Sequence, residues 1–402
     1  MSRLYLEAGS TFAKITHKKV GIKEAVYSSR CSEKQRPSML GLISKAVANR
    51  KVLSDILNEV GAFKKEVGMR WDVLTVMTAE LLFGSGEIRG GGQLKRFLME
   101  RLDQMKGLVQ KKGVELGSDA TTVVSALPRY VRVNPSRWKS VDAAVAVLKS
   151  SGIESVEKDA QIPNLLVLDN KDTKVLVSLD AVKSGDLVMQ DKSTCVSAHA
   201  LLKNRPPTPI HVLDVCSAPG GKAIHILEML RPGDSLTACE RDPKRAKVLQ
   251  TRLDALANNK VKGVKVVVVV EDFLKLFSDD ARFASLPVTH INLDPSCSGS
   301  GMTETPTTKG DRELRTLASF QAKMLRHALL GFESAGVVCY STCSILPIEN
   351  EQVVQAVLGD TRFQVDENPL PEWWPQSDDG FVRTTPEVDR CRGFFLARLV
   401  RH

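Results

Sequence analysis

From residue 210 onward, apolar runs of strand length alternate with helical segments, and this alternation leaves few folds open to the chain. The runs His211–Cys216, Ser235–Glu240, Val264–Val270, His290–Asp294 and Val337–Ser341 read as strands. Helices fill the gaps, among them Pro243–Leu256 and Leu314–Phe332. Such alternation implies right-handed crossovers and a parallel sheet covered by helices on both faces. Val264–Val270, broken only by Lys265, has the near-continuous apolar character of a strand buried on two sides. Gly393–Val400 reads as one more strand, added antiparallel at an edge. The expected fold of this part is α/β and Rossmann-like, with its ligands at the carboxyl ends of the strands.

The 402 residues exceed one ordinary domain, and the pattern changes twice upstream. Residues 38–112 are helical in period, with Leu53, Ile56, Leu57 and Val60 on one face. The glycine-rich stretch Gly84–Gly92 interrupts before another helix, Gln93–Val109; it reads as a linker or as a backbone contact for RNA phosphate. Arg129–Asn134 alternates as a strand ended by Pro135, and a helix follows at 140–151. Short strands near Leu165–Leu168, Val175–Val177 and Leu187–Gln190 complete a small α+β module, and Asn204–Pro209 reads as a stiff linker. The division is therefore 1–125 (basic, helical), 126–205 (α+β) and 206–402 (Rossmann-like). Residues 1–150 hold 26 basic and 14 acidic side chains, a net of +12, while 151–402 hold 30 and 33, a net of −3. A basic part joined to a near-neutral part suggests a polyanion partner such as RNA, although a solvated Lys/Arg-biased helical surface gives the same count. No stretch approaches the roughly 18 uncharged apolar residues of a membrane span. Eight cysteines without a CxxC pair argue against a disulfide scaffold and a structural zinc site. Neither a membrane nor a metal is expected.

The strand ends carry the chemistry. The first closes on Cys216-Ser217-Ala218-Pro219-Gly220-Gly221-Lys222, where the glycines admit a close ligand and a helix N-terminus supplies unpaired N–H groups. The GxxxxGK[ST] phosphate loop and the GxGxxG fingerprint are both absent. What fits is a nucleoside carrying an amino-acid tail, S-adenosylmethionine, its carboxylate bonded by the turn amides. Glu240 ends the second strand, where an acid can accept both ribose hydroxyls. Arg245, five residues on, is expected to support that edge. Asp272, at the third strand end, can accept from the adenine amino group; a lone acid there also serves as a helix N-cap, but acids in register on successive strands favour the cofactor.

The fourth strand ends in Asp294-Pro295-Ser296-Cys297-Ser298-Gly299 and the fifth in Ser341-Thr342-Cys343, so two cysteines stand at adjacent strand ends beside the cofactor. Free cysteines are usually buried and inert, but not usually in Ser/Gly loops at the ligand edge of a sheet. These three elements together resemble the Nop2/Sun RNA cytosine-5 methyltransferases, related to bacterial rRNA methyltransferase B. Arg132-Val133-Asn134 and Gln190-Asp191 resemble that family's upstream signatures, and the resemblance covers roughly 127–402. Ser296, where most of the family has proline, and the basic helical region with its Gly-rich loop resemble the branch that modifies large-subunit rRNA. Ser217, Ala223 and Glu240 depart from a usual alanine, threonine and aspartate, each staying close in size or charge.

The resemblance implies S-adenosylmethionine-dependent methylation of cytosine C5 in large-subunit rRNA, a step of ribosome biogenesis. It implies Cys343 as the nucleophile on C6, Cys297 for release, and Asp294 both at cytosine N3 and at the cofactor. In a eukaryote it implies the nucleus and nucleolus, although six basic and two acidic side chains in residues 1–30 also fit a mitochondrial address. Three alternatives stay open. A DNA cytosine methyltransferase would use Cys297 as its nucleophile, another RNA such as tRNA or mitochondrial rRNA would be the substrate, or the chain would be an RNA-binding assembly factor that keeps the fold without turnover.

Overall fold

The computed structural model describes residues 3–402 except 19–21, 33–34, 63–70, 113–126, 136, 258–262, 284–285, 303–308, 360 and 376. The chain divides into two compact units, Met1–Thr122 and Val123–His402. The boundary expected at 125 falls in 113–126, outside the described residues.

The first unit is helical: Arg3–Lys18, Ile22–Tyr27, Arg36–Ala48, Arg50–Glu59, Trp71–Phe83, Gln93–Glu100 and Leu102–Lys111. Trp71–Phe83 is buried around its circumference from Val73 to Ala79, so it forms the centre on which Phe12, Ile43, Leu57 and Leu98 pack. Thr75 and Thr78 are tolerated there because their hydroxyls bond back to Trp71 O and Leu74 O. The single helix expected over Gln93–Val109 is two, broken at Arg101, whose N–H turns back to Leu98 O. The Gly84–Gly92 loop is anchored and does not hang free. Ile88 is buried in the helical core, Ser85 Oγ donates to Glu80 at 2.7 Å, and Lys95 Nζ donates to Ile88 O at 2.7 Å.

The second unit holds two sheets. The smaller is antiparallel, in the order β2-β3-β1-β4, from β1 (Arg129–Val133), β2 (Glu157–Lys158), β3 (Leu165–Leu168) and β4 (Leu187–Met189). Val175–Val177, expected as a strand, lies in the helix Thr173–Ser178. Only Leu176 of that helix is buried, and the Thr173 hydroxyl bonds Asn170 O to open the turn, so a three-residue apolar run misleads about period.

The larger sheet is built from β5 (His211–Val215), β6 (Ser235–Cys239), β7 (Lys265–Val269), β8 (His290–Leu293), β9 (Val337–Thr342), β10 (Phe363–Val365), β11 (Phe381–Thr384) and β12 (Phe394–Arg401). Its order is β10-β12-β9-β8-β5-β6-β7, with β11 also on β12. β5 to β9 pair in parallel, and β12 is antiparallel to its neighbours, as expected. It is not, however, at the edge. β10 and β11, of three and four residues, take the outer positions and are too short to read from pattern. No helix among the described residues is long and apolar enough to cross a membrane.

The two sheets share a core. Tyr130, Leu165 and Val188 of the small sheet pack with Val212 and Leu396 of the large one and with Ile224 of the helix Gly221–Met229. The helix Lys192–Leu201, placed by the sequence with the α+β module, contributes Cys195, Val196 and Leu201 to that core. Arg205 of the proline-rich linker pairs in two-pronged fashion with buried Asp234, at 2.6 and 2.8 Å. Arg132 on β1, 1% exposed, pairs with buried Glu228 near the end of the helix Gly221–Met229 and donates to Gln190 Oε1 at 3.0 Å. Removing one partner of such a pair strands a buried charge. Glu228→Ala is expected to lower unfolding free energy by about 3–5 kcal/mol in denaturant titration, and adding Arg132→Met should restore most of it. A double variant no more stable than the single one contradicts this account of the pair.

Candidate active site

β5, β8 and β9 run in register, with Val215 opposite Leu293 and Leu293 opposite Tyr340. Cys216 and Asp294, just past β5 and β8, therefore stand level with Ser341 near the end of β9. The chain turns from β5 towards β6 on one side and returns through β8 on the other, so the crevice opens at the switch point of the sheet.

After β5 the backbone takes left-handed conformations at Cys216 (φ 58°) and Gly220 (φ 101°). Gly220 caps the helix Gly221–Met229 without a side-chain bond, which leaves the first helical amides without a side-chain partner. A Cβ at Gly221 would meet nothing within 4 Å, so the turn forms an open cradle. From the helix Pro243–Ala257, Arg245 Nη2 donates to Ala218 O at 2.6 Å and Arg252 Nη1 to Pro219 O at 3.0 Å. Buried Glu240 accepts from Asp242 N at 3.0 Å through Oε1. Its Oε2 accepts no hydrogen bond and has Arg245 Nη2 at 3.5 Å. Asp272 caps the short turn Phe273–Lys275, accepting from Leu274 N at 3.1 Å. Uncapped amides, an open glycine cradle and a buried carboxylate oxygen without a donor fit a nucleoside with an amino-acid tail.

Beyond the cradle, Lys222 Nζ pairs with Asp294 Oδ1 at 2.7 Å and donates to Ser341 Oγ at 3.2 Å, while Ser341 Oγ donates to Asp294 Oδ1 at 3.3 Å. The two cysteines meet, with Cys297 Sγ 3.0 Å from Cys343 Sγ. A hydrogen bond from Cys297, helped by the Lys222 ammonium, holds the Cys343 thiol below its ordinary pKa against the upward push of burial and of the Asp294 carboxylate. The same bond, together with burial, pushes the Cys297 thiol up. The pair thus favours a thiolate on Cys343 over one on Cys297. Gly301 N donates to Cys343 O at 3.0 Å and Gly393 N to Gly301 O at 2.9 Å. A Cβ at Gly301 would stand 2.3 Å from Gly393 O, so only glycine admits this approach.

Residues 201–400 match the family described as 16S rRNA methyltransferase RsmB/F. A mouse protein named 28S rRNA (cytosine-C(5))-methyltransferase is 30% identical over 98% of this chain and 90% of its own length. The 25S rRNA (cytosine-C(5))-methyltransferase NSUN5 of Arabidopsis thaliana is 32% identical over 94% of this chain and 68% of its own. The chain belongs to the RsmB/F–NSUN5 family of rRNA cytosine-C5 methyltransferases. It is accordingly an RNA cytosine-C5 methyltransferase. The fold agrees: NSun6 from Pyrococcus horikoshii, solved with SFG, superposes at a TM-score of 0.57 and 18% identity over 71% of this chain and 95% of that one.

The methyltransferase site also contains a residue the sequence reading passed over. Asp214 on β5, 1% exposed, accepts from Asn292 Nδ2 at 2.6 Å and from the Ser217 hydroxyl. The available signal was an acid inside the apolar run Val212-Leu213-Asp214-Val215. Burial raises its pKa from 3.8 to about 6 against the pull of those two bonds. A carboxyl raised on folding holds its proton to higher pH in the native state, so its contribution to stability is lost as pH rises from 3.8 through about 6. Asp214→Asn should therefore gain on the parent between pH 4 and pH 8 by about 2–3 kcal/mol of unfolding free energy. A difference independent of pH would contradict this.

Proposed function

We propose that this methyltransferase modifies C5 of a cytosine in large-subunit rRNA, with S-adenosylmethionine as methyl donor and a covalent bond between Cys343 and C6 of the base. The observation that carries the mechanism is the 3.0 Å contact of two thiols beside Asp294 and Lys222. The mouse and Arabidopsis relatives are named for 28S and 25S rRNA, which supports a large-subunit substrate over the 16S rRNA of the family description. SFG, held by the Pyrococcus neighbour, is an analogue of S-adenosylmethionine. The cradle at Gly220–Lys222 suits the donor's amino-acid tail and Glu240 its ribose. When bound, the donor supplies an electrophilic methyl group.

Cytosine C5 is too weak a nucleophile to take that group unaided. The Cys343 thiolate adds to C6, and the electron pair moved to C5 makes that carbon reactive. Asp294, through a proton at N3, stabilises the charge that develops on the ring. After transfer, C5 gives up its hydrogen as a proton to solvent water, the C–H electron pair re-forms the C5–C6 double bond, and Cys343 leaves as thiolate. Cys297, at hydrogen-bond distance from that sulfur, assists the departure. The target base leaves its stack to reach the crevice, and the basic helical unit and small sheet hold the RNA backbone. The same reading assigns the chain to the nucleolus of a eukaryotic cell.

Denaturing gels of protein incubated with unmodified large-subunit rRNA test the assignment. Cys343→Ala should abolish methylation and trap no RNA. Cys297→Ala should accumulate a denaturant-resistant complex that requires S-adenosylmethionine and disappears when Cys343 is also replaced. A trapped complex in Cys343→Ala would exchange the two roles.

A further inference from the structure

A buried carboxylate joins the two cysteine loops. Glu349 ends the short turn Pro347–Glu349, downstream of Cys343, and is fully buried. Its Oε1 accepts from Ser298 N at 2.8 Å and from Gln321 Nε2 at 3.0 Å, and its Oε2 accepts from the Ser298 hydroxyl. Gln321 Nε2 also donates to Ser296 O at 3.0 Å. Directly and through Gln321, Glu349 therefore grips the residues on both sides of Cys297. The backbone of Glu349 is itself tied to the Cys343 side, because Tyr340 OH donates to the main-chain O of Glu349 at 2.6 Å.

These donors are all uncharged, and desolvating an anion among them is unfavourable unless every bond is made. A carboxylate accepts from three donors at once, whereas a neutral side chain of the same shape presents one acceptor oxygen. We propose that Glu349 is a positioning residue: it fixes Cys297 against Cys343 and so governs release of the covalent complex, not its formation. This rests on the reading in which Cys343 adds to the base and Cys297 assists its departure. A purely structural clamp would lower addition and release together, in proportion to lost stability. A positioning role slows release selectively. It also governs the Cys297 hydrogen bond that favours the Cys343 thiolate, whose other charged neighbours are Asp294 and Lys222.

Glu349→Gln and Ser298→Ala in the full chain provide the test, with Cys297→Ala as control and in-vitro-transcribed large-subunit rRNA as probe. Ser298→Ala removes the hydroxyl bond to Glu349, together with that hydroxyl's contacts to Ser344 Oγ at 3.2 Å and Ser300 N at 3.3 Å, and keeps the N–H bond, so it remains informative if Glu349→Gln folds poorly. Two readouts are taken. One is the fraction of protein in a denaturant-resistant RNA complex with S-adenosylmethionine present; the other is the pH midpoint of iodoacetamide alkylation at Cys343 without RNA, followed by peptide mass spectrometry. The expected result is a several-fold rise in trapped complex, approaching Cys297→Ala, and an alkylation midpoint moved to higher pH. Trapping at the parent level, in a protein whose Cys297→Ala control does trap, overturns the inference. If the control traps nothing, the reading of the two cysteines fails instead, and an unchanged alkylation midpoint in both variants then overturns the positioning role by itself.

Discussion

Every distance in the active site depends on the parallel register of β5, β8 and β9. Val215, Leu293 and Tyr340 are level across the three strands, so Cys216, Asp294 and Ser341 stand level as well. A slip of β8 by one residue would turn Asp294 to the opposite face and carry the Cys297 loop with it. What prevents the slip is burial on both faces. β5 and β8 are buried throughout, and the helix Asp311–Leu330 seals one side with Met324, Leu325 and Ala328. Hydrophobic packing thus sets a geometry that the polar groups then use.

Electrostatics at that edge follow from which charges are paired. Lys222 meets Asp294 directly, and this pair stands beside two cysteines whose sulfurs lie 3.0 Å apart. Asp214, without so close a cation, keeps a raised pKa and bonds to neutral donors. Negative charge on Cys343 is favoured chiefly by the hydrogen bond from Cys297, with Lys222 for it and Asp294 and burial against it. The thiolate is the nucleophilic form of a cysteine, so a lowered pKa raises the reactive fraction of Cys343.

The parts legible in the sequence were those where a long apolar run stops at a polar motif. β5 to β9 and their terminal residues emerged in this way, as did both cysteines. Short elements carried too little pattern: β10 and β11 have three and four residues, and the Val175–Val177 run was too brief to separate helix from strand. Long-range polar pairs had no local signal at all. Arg132 on β1 meets Glu228 on the helix Gly221–Met229, and Glu349 reaches Ser298 from 51 residues away. The helix Lys192–Leu201 joined the larger sheet because its apolar residues fit there, although its sequence position suggested the smaller module.

The central claim is that Cys343 bonds to the base while Cys297 keeps the proton. The most direct measurement uses an oligonucleotide whose target cytosine carries fluorine at C5, which cannot leave as a proton, so that the adduct persists. Proteolysis and mass spectrometry of the crosslinked protein then locate the modified sulfur. The account predicts the nucleotide on the peptide containing Cys343, with Cys297 free. A nucleotide on Cys297 would contradict it.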